Sequence, residues 1–212
     1  MIRLVLFGPP TAGKSTLAYR LAHALGLRQV GVGDSLRQAA KTDARLAGRL
    51  GDGRPVDDET VAAAVQASLT AREGYVLEGF PRSLAQLARF EAWPTAGGAR
   101  LIALDLDLSS VAARFLARGV CDACRRAQYD PGPCALCGGP LTRRADATPQ
   151  ALAAKLQAYH QGEAPLIAHL AAAGRLELHP VRGEAEADFL SLMRRILSPP
   201  LVQVSERHVH EP

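Results

Sequence analysis

The segment Gly8-Pro9-Pro10-Thr11-Ala12-Gly13-Lys14-Ser15 constrains the fold of this 212-residue chain more than any other feature. It matches the pattern in which a glycine-containing loop binds phosphate through its backbone amides, with Lys14 reaching the transferring group. An apolar run at residues 2–7 precedes the loop and predicts a buried strand. Leu17, Leu21 and Leu25 follow at helical spacing, and Gly26 is placed to end that helix. Because strand and helix lie on the correct sides, the loop indicates ATP or GTP binding rather than a chance match on a glycine-rich turn.

Strand-like and helix-like segments alternate along the rest of the chain. Further strands are predicted at residues 27–30, 75–77, 101–106 and 176–178. Helices are predicted at residues 35–47, from 57 and 58 onward, and at 83–91, 109–117, 149–159, 165–173 and 184–197. Strands separated by helices pair in parallel, so the sequence predicts an α/β fold with a P-loop NTPase-type sheet of five parallel strands covered on both faces.

The four cysteines of the chain interrupt this alternation. They form two Cys-x-x-Cys pairs, Cys121 with Cys124 and Cys134 with Cys137, nine residues apart. Each pair can supply two corners of a tetrahedral metal site, and four thiolates leave no open position, which favours a structural zinc ion. Iron is the minor alternative. Disulfides or free core thiols are disfavoured, because an intracellular chain is kept reduced and these cysteines stand among Gly, Pro and Asp residues.

Composition places the chain among soluble globular proteins, with 48% hydrophobic and 22% charged residues. No apolar stretch approaches the roughly 20 residues that cross a bilayer, and residues 2–7 are too few for a signal peptide core. We therefore expect a cytoplasmic protein with no membrane partner. The net charge of +4 is spread along the chain. Nucleic-acid binding normally needs a clustered basic face, so none is expected. Monomer is the default expectation.

Several motifs, in order, resemble the adenylate kinase family. Gly79-Phe80-Pro81-Arg82 with Gln86 resembles the family's Asp-Gly-Phe-Pro-Arg…Gln signature, and residues 33–37 resemble its Thr-Gly-Asp-Met-Leu-Arg segment. The cysteine module, followed by Arg144, Asp146 and the segment from Tyr159 to residue 167, resembles the zinc-type lid and the helices after it. The resemblance covers about residues 1–197.

The resemblance implies a division into functional parts. A P-loop core would comprise residues 1–31, 61–118 and 145–197, with a small helical segment at residues 32–60 binding the nucleoside monophosphate. An inserted zinc-bearing lid would span residues 119–144, and residues 198–212 would be a flexible tail. The implied activity is phosphoryl transfer from Mg-ATP to a nucleoside monophosphate, with AMP expected as acceptor.

The resemblance also implies residue roles. Catalysis is expected from Lys14, Arg118, Arg144, Asp146 and Lys155. ATP contacts are expected from Gly8, Thr11, Ala12, Gly13, Lys14, Ser15, Thr16, Arg118, Tyr129, Arg182 and Gly183, with Arg114 a weaker candidate for the phosphates. Acceptor contacts are expected from Val32, Arg37, Arg54, Pro55, Val56, Gly79, Phe80, Pro81, Arg82, Gln86, Arg144 and Lys155. Glu78 is expected to orient Mg²⁺ through water.

Departures from the family pattern keep other acceptors and activities open. Val32, Glu78, Ala147 and Lys155 stand where the family has threonine, aspartate, aspartate and arginine. Thr11 and Ser15 replace glycines, and the cysteine pairs are about seven residues closer together than in the usual lid. One alternative is therefore a kinase for another phosphorylated small molecule. The other is a nucleotide-binding regulator or zinc-ribbon interaction module with little turnover.

Overall fold

A computed structural model describes residues 1–52, 54–124, 127–128, 132–134, 137–143 and 147–198, with the backbone alone at residues 127 and 143. Its centre is a sheet of five strands, which are β1 (Arg3–Phe7), β2 (Arg28–Gly31), β3 (Tyr75–Glu78), β4 (Arg100–Asp105) and β8 (Glu177–Pro180). The strands pair in parallel in the order β2-β3-β1-β4-β8. The predicted five-stranded parallel sheet is confirmed, and each predicted strand lies within two residues of an observed one.

Strand β1 shows why this sheet must be covered on both faces. Its residues Leu4 and Leu6 belong to one buried cluster, and Val5 and Phe7 belong to another. Since successive side chains of a strand point to opposite faces, four consecutive apolar residues require an apolar layer on each side. All four are no more than 1% exposed, so β1 lies at the centre of the core.

Helices supply both covering layers. They are α1 (Lys14–Leu25), α2 (Val32–Ala39), α3 (Ala44–Gly51), α4 (Asp58–Ala67), α5 (Leu84–Glu91), α6 (Leu108–Ala117), α7 (Pro149–Ala158), α8 (Ala164–Ala172) and α9 (Ala185–Leu197). A 3₁₀ turn spans Pro94–Ala96, and a π-helical turn, Tyr159–Glu163, joins α7 to α8. Helix α1 ends at Gly26, whose φ of 63° confirms the predicted glycine cap.

The prediction of one helix over residues 35–47 is wrong. The chain forms α2 and α3 instead, with a break before Asp43, whose carboxylate accepts a 2.9 Å hydrogen bond from the Leu46 amide. An aspartate in extended backbone satisfies a free amide of the helix that follows, which favours a new start over a continuous helix. Leu36, Leu46 and Ala64 bury a small cluster of their own between α2, α3 and α4.

The cysteine module folds as a separate small sheet. Strands β5 (Gly119–Cys121), β6 (Ala127–Gln128) and β7 (Leu141–Arg143) pair antiparallel in the order β6-β5-β7. Residues 199–212 of the predicted tail lie outside the described residues. Among the residues that are described, no helix is both long and apolar enough to span a membrane.

Candidate active site

A cavity of about 230 Å³ opens at the carboxyl ends of the central strands. In open α/β sheets this edge is where ligands bind, and β1 stands here between β3 and β4, where the strand order reverses. The cavity is lined by the P-loop and by side chains from β3, α6, α7 and the π-helical turn. Its lining residues are Pro10, Thr11, Ala12, Gly13, Lys14, Ser15, Thr16, Glu78, Arg82, Phe115, Arg118, Lys155, Ala158, Tyr159 and Glu163.

The P-loop leaves β1 through a crowded turn. Gly8 has a φ of 139°, and a Cβ there would lie 2.7 Å from the Leu104 carbonyl oxygen on β4. Only glycine fits this approach. Thr11, by contrast, is a β-branched residue with a φ of 65°, and its carbonyl accepts a 3.2 Å hydrogen bond from Arg114 Nε. Backbone strain of this kind concentrates at functional sites.

Lys14 lies across the mouth of the loop. Its Nζ donates a hydrogen bond to the Gly8 carbonyl and another, of 3.0 Å, to the Pro9 carbonyl. Burial lowers the pKa of Lys14, although the Glu163 carboxylate opposes this effect. Lys14 thus lines the cavity while its ammonium is hydrogen-bonded to two carbonyls of its own loop, and its predicted contact with the transferring phosphate stays a prediction.

Glu163 is the site residue that sequence reasoning missed. Its side chain is 8% exposed, and Oε1 accepts a 2.8 Å hydrogen bond from the Gly8 amide and lies 4.0 Å from Lys14 Nζ. The π-helical turn that carries it packs closely on the loop after β3, since a Cβ on Gly162 would lie 2.6 Å from the Arg82 carbonyl oxygen. π-turns inside helices are frequent at functional sites, but no local sequence pattern announces them.

Glu78 lies at the end of β3, opposite the P-loop. Its Oε1 accepts a 2.9 Å hydrogen bond from the Ser15 hydroxyl. Gly31 makes room for it, because a Cβ there would be 2.9 Å from the same oxygen. The carboxylate and the hydroxyl thus form an oxygen pair at the edge of the cavity.

A second cavity of about 300 Å³ adjoins the first on the side of α2. It is lined by Ser15, Thr16, Gln29, Gly31, Gly33, Asp34, Arg37, Glu78, Arg118 and Cys124. Arg37 Nη2 lies 2.6 Å from Asp34 Oδ1, and both side chains are largely exposed. Arg118 lines both cavities and Arg82 lines the first, so the predicted arginines Arg37, Arg82 and Arg118 surround one continuous region.

The remaining predicted acceptor residues divide into buried and exposed groups. Gln86 is buried, with its Oε1 accepting from the Arg82 amide at 2.8 Å and its Nε2 donating to Asp58 Oδ1 at 2.8 Å. Val32 packs against two of the buried clusters. Phe80 is buried against Trp93, with Gly79 and Pro81 beside it in the turn after β3.

Arg54 and Pro55 lie farther out. Together with Arg45 and Arg49 they line a third cavity of about 380 Å³, while Val56 packs against the small cluster of α2, α3 and α4. Arg54 Nη2 lies 2.6 Å from Asp52 Oδ2. Neither Arg54 nor Pro55 lines the two cavities at the strand ends.

The loop at residues 182 and 183, which is predicted to border the adenine, is fixed by hydrogen bonds to helix α9. The buried Asp188 carboxylate accepts hydrogen bonds from the amides of Arg182, at 2.9 Å, and Gly183, at 3.0 Å. The Arg114 guanidinium lies directly beside Gly183, so Arg114 bridges this loop and the P-loop carbonyl of Thr11. Tyr129, Arg144 and Asp146, which the sequence also predicted at the site, lie outside the described residues.

The four cysteines converge. Their Sγ atoms all lie within 4.8 Å of one another, with 3.5 Å between Cys121 and Cys137 and 3.6 Å between Cys124 and Cys134. Zinc–sulfur bonds of about 2.3 Å in a tetrahedron place sulfurs about 3.8 Å apart, so the spacing fits such a site. The Cys124 amide donates a hydrogen bond that lowers the pKa of the Cys121 thiol to about 7, which favours a thiolate ligand.

A phosphate-binding loop after the central strand of a parallel sheet, with a lysine and several arginines facing one cavity, defines a P-loop phosphotransferase. A family model described as adenylate kinase matches residues 6–175. The chain is 37% identical over 203 residues to an adenylate kinase of Acidothermus cellulolyticus, covering 87% of this chain and 93% of that protein. It is 34% identical over 203 residues to one of Paracoccus denitrificans, covering 88% and 92%. The chain belongs to the adenylate kinase family and is a nucleoside monophosphate kinase by class.

Proposed function

We propose that the protein transfers the γ-phosphoryl group of ATP to AMP, giving two molecules of ADP. A phosphate oxygen of AMP attacks the γ-phosphorus, and the bond from that phosphorus to the β,γ-bridging oxygen breaks, leaving ADP. The observation that carries the proposal is the set of cations facing one cavity, Lys14, Arg82, Arg118 and Lys155. Phosphoryl transfer needs positioning and neutralisation of charge more than a covalent nucleophile, and four cations around a phosphate loop supply both.

The two adjoining cavities suggest where each substrate binds. ATP phosphates fit the loop cavity beside Lys14, with the adenine toward Arg182 and Gly183. The acceptor phosphate fits between Arg37 and Arg82, and Gln86, in the first turn of α5, would meet its base. In this arrangement Arg118 lies between the two phosphates, since it lines both cavities.

Mg²⁺ bound with ATP belongs to the proposal. Mg²⁺ prefers oxygen ligands and usually keeps several waters, with one or two carboxylates beside substrate phosphates. The Glu78 carboxylate lies at the cavity edge, where such a water-mediated contact is open to it. We assign Glu78 the task of orienting the metal through water, and the cation would neutralise charge on the transferring group.

Zinc in the lid is proposed on the sulfur geometry described above. Cys121, Cys124, Cys134 and Cys137 would hold it in a closed, structural site. Cys124 also borders the second cavity, which brings the metal module against the acceptor side. A lid in this position would exclude water, which otherwise competes as phosphoryl acceptor. A monomeric state and a cytoplasmic location stay predictions.

The test is a product assay with purified protein, Mg-ATP and a panel of AMP, CMP, GMP and UMP. With AMP as acceptor, both ATP and AMP should be converted to ADP. The expected rate is tens of turnovers per second or more, which is on the order of typical kinase rates. Lys14→Ala, purified in the same way, is the control for contaminating kinases. A faster reaction with another monophosphate would identify that nucleotide as the acceptor. The apolar Val32 would then be one cause of the changed specificity. Absence of any diphosphate across the panel would leave the low-turnover nucleotide-binding regulator.

A further inference from the structure

A buried carboxylate lies against the P-loop lysine. Glu163 is contributed by the π-helical turn Tyr159–Glu163, far along the chain from the loop it touches. Its Oε1 is 2.8 Å from the Gly8 amide nitrogen and 4.0 Å from Lys14 Nζ, and the two side chains are 8% and 14% exposed. A buried carboxylate is costly unless hydrogen-bonded and paired with a cation, and here it has both partners.

Lys14 needs a negative partner more than most lysines do. Burial disfavours its charged form, and the Arg82 guanidinium facing it acts in the same direction. Two more cations, Arg118 and Lys155, line the same cavity. Against them stand two carboxylates, Glu163 and Glu78, which favour the charged form. Tyr159 also lines the cavity, and burial raises its pKa, so it stays neutral and adds no charge.

The two carboxylates are anchored at opposite ends of the loop segment, Glu163 at its first residue and Glu78 at its last. Glu78 is hydrogen-bonded to Ser15, whereas Glu163 is fixed by the Gly8 amide at the first residue of the loop. Gly162 allows this fit, because any side chain there would collide with the Arg82 carbonyl. The π-helical turn thus positions the Glu163 carboxylate 4.0 Å from Lys14 Nζ.

We propose that Glu163 is a positioning residue that keeps the Lys14 ammonium charged and held at the loop while the phosphate cavity is empty. When ATP binds, its phosphates replace Glu163 as the main negative partner, so the role of Glu163 belongs to the free enzyme. This functional consequence rests on the proposed ATP-dependent activity. The electrostatic relation between Glu163 and Lys14 does not.

The substitution Glu163→Gln separates charge from shape. The amide oxygen can still accept the Gly8 hydrogen bond, while the negative charge is lost. Because the carboxylate favours the charged lysine, its removal should let Lys14 lose its proton at lower pH. The matched control is Glu91→Gln, which removes the same charge from an exposed pair with Arg175, outside the cavity.

Lysine-selective isotope labelling makes the measurement direct. The chain has three lysines, Lys14, Lys41 and Lys155, so NMR of ¹⁵Nζ and ¹³Cε follows each one separately. In nucleotide-free protein, E163Q should shift the Lys14 titration midpoint to lower pH, and E91Q should leave it in place. With Mg-ATP and AMP, the ratio of wild-type to E163Q kcat/KM for ATP should grow about tenfold from neutral to alkaline pH. The pH profile of kcat should move less, because bound phosphates then face Lys14.

Equal Lys14 midpoints in wild type and E163Q would overturn the inference and reduce Glu163 to a structural anchor. If circular dichroism shows that E163Q is unfolded, Glu163→Asp takes its place. Its carboxylate sits one methylene farther back, so its Lys14 midpoint must also fall below that of the wild type, and equality again overturns the inference. A shifted midpoint in a protein that makes no ADP supports the Glu163 role and refutes the proposed function instead.

Discussion

The Ser15 hydroxyl donates a 2.9 Å hydrogen bond to Glu78 Oε1, which ties the first turn of α1 to the end of β3 across the phosphate cavity. Gly31, at the end of the neighbouring strand β2, leaves the space that the glutamate fills. The longer side chain of glutamate is thus matched to a missing side chain on the next strand. Three segments far apart in the sequence set the position of one carboxylate.

Gly31→Ala should displace that carboxylate without unfolding the protein. The φ of −122° at Gly31 is open to alanine, but the new Cβ would lie 2.9 Å from Glu78 Oε1. A flexible carboxylate can move aside, so the free energy of unfolding should change by less than about 1 kcal/mol. We expect kcat to fall by about ten- to a hundredfold, since small misplacements of a catalytic group have effects of this size. A raised Mg²⁺ requirement should accompany the loss in steady-state assays.

Gly48→Ala is the matched control for that substitution. Gly48 lies on α3, and a Cβ there meets nothing within 4 Å. Its kcat should stay at the wild-type value. An equal loss of kcat in both variants would contradict the role of Glu78.

Arg82→Ala should weaken use of the acceptor far more than binding of ATP. Arg82 follows the turn after β3 and lines the loop cavity. An arginine that holds a phosphate contributes charge-assisted hydrogen bonds, so we expect KM for AMP to rise by about tenfold or more. The Kd for ATP, measured by calorimetry, should change much less. Arg89→Ala, an exposed arginine on α5, serves as control, and equal losses of both affinities would refute the assignment.

Removal of zinc should loosen the lid sheet and expose the thiols. Elemental analysis should find one zinc per chain. Because the chain has four cysteines, all in the cluster, a thiol reagent should react slowly before chelation and label all four afterwards. We expect the melting temperature to fall on chelation, since binding free energy of a structural metal is folding free energy. A reduced, metal-free protein with an unchanged melting temperature would exclude a structural metal.

Glu177→Gln should destabilise the protein in a pH-dependent way. Glu177 on β8 lies 2.7 Å from Arg100 Nε and 3.3 Å from Arg195 Nε, and its hydrogen bond with Arg100 lowers the pKa of Glu177. A lowered carboxyl pKa stabilises the fold above the unfolded-state pKa of about 4.3, and that stability is lost as the pH falls through the folded pKa.

At pH 7, urea denaturation of E177Q should therefore show a deficit of about 1 kcal/mol, a size typical of a two-pronged, partly exposed ion pair. The deficit should shrink progressively below about pH 4.3. Glu73→Gln, from an exposed pair with Arg28 at 3.7 Å, should show a smaller effect at either pH. The same deficit for E177Q at pH 7 and pH 3 would show that the charge is not responsible.

Thr11→Gly should stabilise the protein. A β-branched residue with a φ of 65° is strained, and Thr11 Oγ1 is buried with no hydrogen-bond partner among the residues that the structure describes. Glycine removes both the strain and the unpaired hydroxyl, but it also raises the conformational entropy of the unfolded chain, which offsets part of the stabilisation. We expect the free energy of unfolding to rise by about 1 kcal/mol. Thermal denaturation measures it, and a lower melting temperature would mean that the hydroxyl makes a favourable contact.

Local patterns were sufficient for most of the fold. The structure confirms the strand β1, the glycine-containing loop after it and the glycine cap at Gly26. These features could be predicted because each depends on residues that are close in sequence. The break between α2 and α3 was also locally encoded, in the capping residue Asp43, but the prediction extended one helix across it. The cysteine spacing predicted a four-sulfur cluster, and in the structure the four sulfur atoms lie together.

What the sequence alone determined was which chemistry could be present: a phosphate loop, cations to face it and thiolates to hold a metal. Tertiary structure decided which of these groups meet. The contacts between Glu163 and Gly8, between Arg114 and Thr11, and between Glu78 and the space beside Gly31 join residues from separate elements. Such contacts depend on how helices pack on the sheet and on a π-helical turn, and neither periodicity nor spacing records them. The physical reason is that charge acts through space, so the state of Lys14 depends on a carboxylate that the folded chain alone brings near it.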